Sequence, residues 1–493
     1  MKSLFLFFLM GISSVSQVPM HEMLSFDEPY LIHSNSSLQV RQDIDHKTDE
    51  KEAKKWAEER YKKWDEQVSN AQKEALQNVL KNKQLDVKGE QLNHHLQYLG
   101  GDLNNFHVEQ GTNEEKIKFQ YEEDVKLMDR TFKIKEGKTQ ENLFVYKNIS
   151  LTSILNLEFG TPLPGIDENL LNGFSNIDRN SFNRLKSDLK YGLSSSYLIT
   201  NIAEKSGGDE RIKLRIYVPK GTASAYDGET HLIFNKNNGL LFKDFSIITQ
   251  NGKEYIRINT ELVDKAEINK KIAFENEIVN REFNNRLGFA VEKRSIDFDF
   301  KGIGGSISIK EVNKELNMAI DAMDPKLAEN IYGYMLNNMR GRIIFTDLPI
   351  WAIGGMKMPD DKDSISGLYR PTFGTMYIRM PFSLNEYNKD QEAFSAKEPI
   401  LHETGHVFDH FFGEKFNGKS DPISSSKTFK GIYTTEKGKL TDYAKTNERE
   451  FFAEAFRMYH VSPDLLKKLS PKTYTFIDMV IKMSIENYNE IDF

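Results

Sequence analysis

Between Lys47 and Val79, the apolar residues Trp56, Tyr61, Trp64, Val68, Ala71, Ala75 and Val79 recur at helical spacing within a run of alternating lysines and glutamates. Residues three and four apart share one face of a helix, so the pattern gathers these side chains into a stripe opposite the charges. It predicts one long surface helix from Asp43 to about Lys83, with the charged face solvated. Gly100-Gly101 then breaks the periodicity. Beyond it the pattern predicts a helix over Glu114–Thr131, a strand over Asn142–Lys147 and a helix over Asn169–Tyr191. Short β-rich runs follow at Ser196–Ile202, Ile212–Val218, His231–Phe234, Phe242–Thr249 and Glu254–Asn259, separated by Gly, Asn and Lys turns. Together these predict an α+β domain with an antiparallel sheet. Helical spacing returns over Glu261–Arg286, Lys310–Met339 (broken at Pro325), Glu392–Phe412, Asn447–His460 and Lys472–Met483. Strands are predicted at Arg342–Phe345 and Gly374–Met380, and no internal repeat or low-complexity tract interrupts the order.

Composition narrows the class. A chain of 493 residues suits two to four domains, and its 33 phenylalanines supply real cores. A net charge of −7 with both signs interspersed argues against a nucleic-acid partner. The start, Met1-Lys2 followed by a mainly apolar run from Leu4 to Val15, reads as a secretory signal peptide over residues 1–16, too short to span a membrane. No later run reaches 18 apolar residues, so a secreted, extracellular protein without a transmembrane segment is expected. The absence of cysteine excludes disulfides, thiol catalysis and a thiolate-bound metal.

The chemistry-bearing pattern is His402-Glu403-Thr404-Gly405-His406, an HExxH block. On a helix, residues four apart stack on one face, so both imidazoles can reach one metal ion. Glu403 is rotated to the side, where a carboxylate can take a proton from water. Ile400, Leu401, Val407, Phe408, Phe411 and Phe412 supply an apolar face that would bury this helix. Two histidines need a third protein ligand. Asn447-Glu-Arg-Glu450-Phe-Phe-Ala-Glu454-Ala-Phe456 is the acid-rich amphipathic segment suited to provide it. A carboxylate on a buried face is costly unless paired or metal-bound. Spacing alone does not rank Glu450 against Glu454, and Glu448 stays open. His410 is read as a hydrogen-bonded histidine outside the ligand set.

These residues, with Leu440-Thr-Asp-Tyr443-Ala-Lys-Thr-Asn-Glu-Arg-Glu450, resemble the catalytic domain of the anthrax lethal factor family. The likeness extends upstream through Gly367-Leu-Tyr369, Ile344-Phe-Thr-Asp347, Glu254-Tyr-Ile-Arg-Ile258 and Ser194-Ser-Ser-Tyr197. The resemblance implies Zn2+ on His402, His406 and Glu450, Glu403 as general base, Tyr443 as oxyanion donor and Glu454 as a partner of a ligand histidine. It also implies a middle domain like a bacterial ADP-ribosyltransferase that has lost its chemistry. The positions that would carry such activity read Lys147, Tyr197-Leu-Ile-Thr200 and Glu229-Thr230-His231. Two departures from the family are expected, the first because fewer than a hundred residues precede the match. The carrier-binding domain is expected to be absent, and only Asn82–Asn93 stands where the family inserts helical repeats.

The expected organisation is therefore a signal peptide (1–16), a charged helical arm (17–100), an inactive ADP-ribosyltransferase-like mixed domain (101–275) and a mainly helical, zincin-type metallopeptidase domain (276–493). The expected function is a secreted, gluzincin-like zinc endopeptidase of toxin type acting on protein or peptide substrates. An ADP-ribosyltransferase-type toxin and a non-catalytic binding protein are the alternatives.

Overall fold

A computed structural model describes residues 43–80, 92–150, 171–172, 175–205, 210–353, 356, 366–380, 397–417 and 421–486. The expected signal peptide, residues 17–42 of the arm, most of Asn82–Asn93 and the start of the Glu392–Phe412 helix lie outside the described residues. The architecture is mixed α+β, as the periodicities require. Among the described residues no helix is long and apolar enough to cross a membrane.

The charged arm forms two helices, Glu50–Asp65 and Asn70–Leu80, instead of one. Ser69 and Gln72 explain the interruption. Ser69 Oγ receives the Gln72 N–H at 3.3 Å, and Gln72 Oε1 takes the Ser69 N–H at 2.9 Å. This reciprocal capping box satisfies N–H groups that a new helix start leaves unpaired, so the chain restarts there. The stripe packs inward through buried Ala53, Ala57, Tyr61, Trp64, Ala75 and Val79, whereas Ala71 is exposed.

These helices cover an eight-stranded sheet. Its spatial order is Tyr191–Ser194, Asn238–Gln250, Lys253–Val263, Ile212–Val218, Leu143–Ile149, Leu198–Asn201, His231–Phe234 and Ser224–Tyr226. All pairings are antiparallel except that of Lys253–Val263 with Ile212–Val218. The expected helix over Asn169–Tyr191 is confined to Arg179–Asp188, because Asp178 caps its start by accepting the Ser181 N–H at 2.7 Å. Likewise the helix expected from Glu261 begins at Lys265, after the strand runs on to Val263. Asp264 accepts the Ala266 N–H at 2.7 Å and sets that boundary.

Helix Lys265–Arg286 leads into a second core, to which it contributes Ile268, Ile272, Val279 and Phe283. A four-stranded sheet here has the order Ile296–Asp299, Arg342–Thr346, Thr375–Arg379 and Gly367–Arg370, the last pairing antiparallel at the edge. Two buried helices lie beside it, Lys397–Asn417 and Glu448–Val461. Their interface is aromatic. The Phe408 ring lies 6.2 Å from Phe452 and 5.3 Å from Phe456. Each fully buried phenylalanine stabilises by about 1.5–3 kcal/mol relative to exposure, so the pair of helices is held as a rigid platform.

Candidate metal centre

The helix Lys397–Asn417 carries His402 and His406 on one face, and Gly405 lets the second helix come close. A Cβ on Gly405 would lie 2.9 Å from Ala453 Cα and 3.1 Å from its carbonyl oxygen. Glycine is unfavourable inside a helix by roughly 0.5–1 kcal/mol relative to alanine, and here it permits backbone contact. One turn before Ala453, Glu450 therefore reaches across. Its Oε2 lies 3.1 Å from His402 Nε2 and 3.2 Å from His406 Nε2. Ligand atoms from these three residues lie within 4.8 Å of one another and could hold a metal ion. Two imidazole nitrogens and one carboxylate oxygen are a ligand set that suits zinc. Glu454 occupies a different place: its Oε2 meets His402 Nδ1 at 3.3 Å. Glu448 does not join the cluster.

Charges in the cluster reinforce one another. Burial lowers the His402 pKa, but the Glu450 and Glu454 carboxylates outweigh it and push the value up to about 9. Burial raises the carboxyl of Glu450, yet hydrogen bonds from His402 and His406 hold it well below the usual range. Metal-free His402 thus carries both ring protons near neutrality, and a metal taking Nε2 must displace one. Zinc titration at pH 7.5 is expected to release about one proton from this residue. Calorimetry in two buffers of different ionisation enthalpy measures it, and zero release would contradict the charged state.

Glu403 is buried, 5% exposed, between the helix and the edge strand Gly367–Arg370. Burial pushes its carboxyl upward while His406 and His402 pull it down, and the backbone of Tyr369 hydrogen-bonds it. Gly367 closes the other side, since a Cβ there would lie 2.6 Å from Glu403 Oε1 and 2.7 Å from its Cγ. Gly367→Ala is expected to displace the carboxylate rather than the fold. A misplacement of this size predicts roughly a 100-fold loss of kcat, with the melting temperature and metal content retained. Unchanged turnover would show that Glu403 tolerates the shift.

Tyr443 lies in a 3₁₀ turn, Tyr443–Lys445, just ahead of the glutamate helix. The residue is 59% exposed, with its ring 5.6 Å from that of His402. Desolvation and the facing Glu450 carboxylate push its hydroxyl well above the usual tyrosine range, so it stays a donor at neutral pH. His410 lies outside the cluster, with its ring 6.0 Å from Tyr369.

Sequence periodicity did not single out Gly367, the Tyr369 backbone or Arg457. Arg457 forks onto Glu454, with Nε 3.0 Å from Oε2 and Nη2 2.6 Å from Oε1, and also reaches Glu398. Only the i,i+3 spacing of Glu454 and Arg457 hinted at that pair.

In the eight-stranded sheet, Lys147 Nζ donates to the Ile199 carbonyl at 3.0 Å, and burial pushes its amine down to about 8. His231 pairs with Asp227, Nδ1 to Oδ2, at 2.5 Å. Both side chains are engaged within the domain itself.

Fold and site together define an α+β protein with a candidate metal centre built across two helices. The chain belongs to the anthrax lethal factor family. Residues 20–263 match the model for the anthrax toxin lethal factor middle domain, and residues 383–480 match that for its N- and C-terminal domain. Lethal factor of Bacillus anthracis is 31% identical over 382 residues, covering 75% of this chain and 46% of the relative. The chain thus spans about half the length of that relative. Among solved structures, the Clostridium limosum C3 exoenzyme gives a TM-score of 0.36 at 18% identity, covering 45% of this chain and 98% of that one. The ADP-ribosyltransferase toxin Plx2a of Paenibacillus larvae gives 0.34 at 18%, covering 45% and 100%. The enzymatic component C2-I of Clostridium botulinum C2-toxin gives 0.36 at 16%, covering 61% and 60%.

Proposed function

We propose that the protein is a zinc-dependent metalloendopeptidase, secreted and toxin-like, that hydrolyses peptide bonds of host or extracellular proteins. The observation that carries this reading is the convergence of Glu450 Oε2 on both Nε2 atoms of His402 and His406, with Glu403 beside them. His402, His406 and Glu450 would hold the zinc, which when bound supplies a Lewis acid for the peptide carbonyl and for water. Glu403 removes the proton of the attacking water and passes it to the leaving amine. Tyr443, protonated and partly exposed, donates to the oxyanion that develops on the carbonyl. The 101–275 region acts as a scaffold or substrate groove without transferase chemistry, and the 276–493 region carries the reaction.

The test incubates the purified protein and its Glu403→Gln variant with a diverse peptide library and reads the products by mass spectrometry. Chelator-sensitive cleavage by the wild type alone is expected. Folded, zinc-loaded protein that cuts neither the library nor folded protein substrates would count against the reading.

A further inference from the structure

We infer that Arg457 is a positioning residue that sets the orientation and tautomer of His402 through Glu454. The inference rests on the metallopeptidase reading above and deepens it. Glu454 is buried, with a side chain only 7% exposed, and both of its oxygens are taken up by the Arg457 guanidinium. A bidentate fork of this kind fixes the plane of a carboxylate as well as its charge. The oxygen that receives Arg457 Nε, Oε2, is also the one 3.3 Å from His402 Nδ1. With that plane fixed, Oε2 is placed to accept from Nδ1, so Nδ1 keeps its proton when Nε2 gives up its own to a metal.

The other arm of the guanidinium reaches Glu398, in the first turn of the helix that bears His402. Arg457 therefore ties the start of the histidine helix to the glutamate helix while it orients Glu454. Without it, Glu454 would remain as a buried carboxylate with one fewer partner and would be free to rotate about its terminal bond.

The experiment compares the full chain with Arg457→Gln, Arg457→Lys and Glu398→Gln. Zinc affinity is measured by competition with a chromophoric chelator, kcat and KM on a cleavable peptide, and thermal melting without metal. For Arg457→Gln, zinc affinity is expected to fall roughly 10–100-fold. Its kcat at saturating zinc should fall as well, with KM changing less than about twofold. Lysine restores the charge without the fork and is expected to fall between wild type and glutamine. Glu398→Gln, at a side chain 43% exposed, is expected to show a smaller loss in the same direction. A folded Arg457→Gln protein with wild-type zinc affinity overturns the inference, even if its melting temperature has dropped. If that variant does not fold, wild-type affinity in both Arg457→Lys and Glu398→Gln overturns it equally. A wild type that binds zinc but cuts neither peptides nor folded protein substrates would sink the peptidase reading, while a weakened affinity in the variants would still support the role of Arg457.

Discussion

Glu403→Gln is expected to lose roughly 10²–10⁴-fold in kcat while keeping its fold and its metal. Glutamine is isosteric, so it fills the space beside Gly367 and can still accept from the Tyr369 backbone. It cannot take a proton. The carboxylate lies outside the His402–His406–Glu450 cluster, so metal content should match the wild type. Stability gives an independent check. Burial raises the folded pKa of Glu403, so its stabilising contribution is complete below about 4.5 and declines as pH rises through the folded value. Above the folded pKa the ionised group is a cost in the metal-free protein, so metal-free Glu403→Gln should melt at or above the wild-type temperature once pH has passed that value. Near-wild-type turnover in a metal-loaded sample would remove the general-base role.

Glu450→Ala should have the second-largest effect, a loss of zinc affinity greater than about 100-fold, beyond what an outer partner of a ligand contributes. Its Oε2 is the carboxylate atom that meets both imidazoles, and two histidines alone leave the set incomplete. The metal-free protein should also change its pH dependence. The depressed Glu450 pKa contributes stability above about 4.5 that is lost as pH falls through the folded value. The raised His402 pKa contributes stability below about 6.5 that is lost as pH rises through about 9. Both contributions are complete only between about 4.5 and 6.5. The wild type should thus exceed the variant most in that window, and the two melting curves should approach one another above about pH 9. A variant that binds zinc as tightly as the wild type would exclude Glu450 from the ligand set.

Long elements with many periods were legible in the sequence. Asn113–Thr131 and Ile212–Val218 form at or within a residue of their expected bounds. Short strands escaped notice. Tyr191–Ser194, Ser224–Tyr226, Ile296–Asp299 and Gly367–Arg370 have three or four residues each, too few alternations to separate from loop. Helix boundaries went astray where one side chain decided them. Ser69, Asp178 and Asp264 each cap a helix start, and a periodicity window averages across such single residues. The parallel pairing of Lys253–Val263 with Ile212–Val218 was equally hidden, because alternation within a strand does not reveal the direction of its neighbour.

By itself the sequence determined what lies on one helix. The i,i+4 spacing places His402 above His406, the apolar residues around them bury that helix, and the acids of Glu448–Val461 follow the same local geometry. Only the tertiary structure decided which acid faces the histidines. Glu450 and Glu454 are equivalent in spacing, and their roles separate through the contact of Gly405 with Ala453, which brings Glu450 to Nε2 and Glu454 to Nδ1. The same holds for Gly367 against Glu403 and for Arg457 bridging Glu454 and Glu398. Helical periodicity is set by bonds within a few residues, whereas these contacts join segments 36 to 59 positions apart and depend on how the elements of the second core pack.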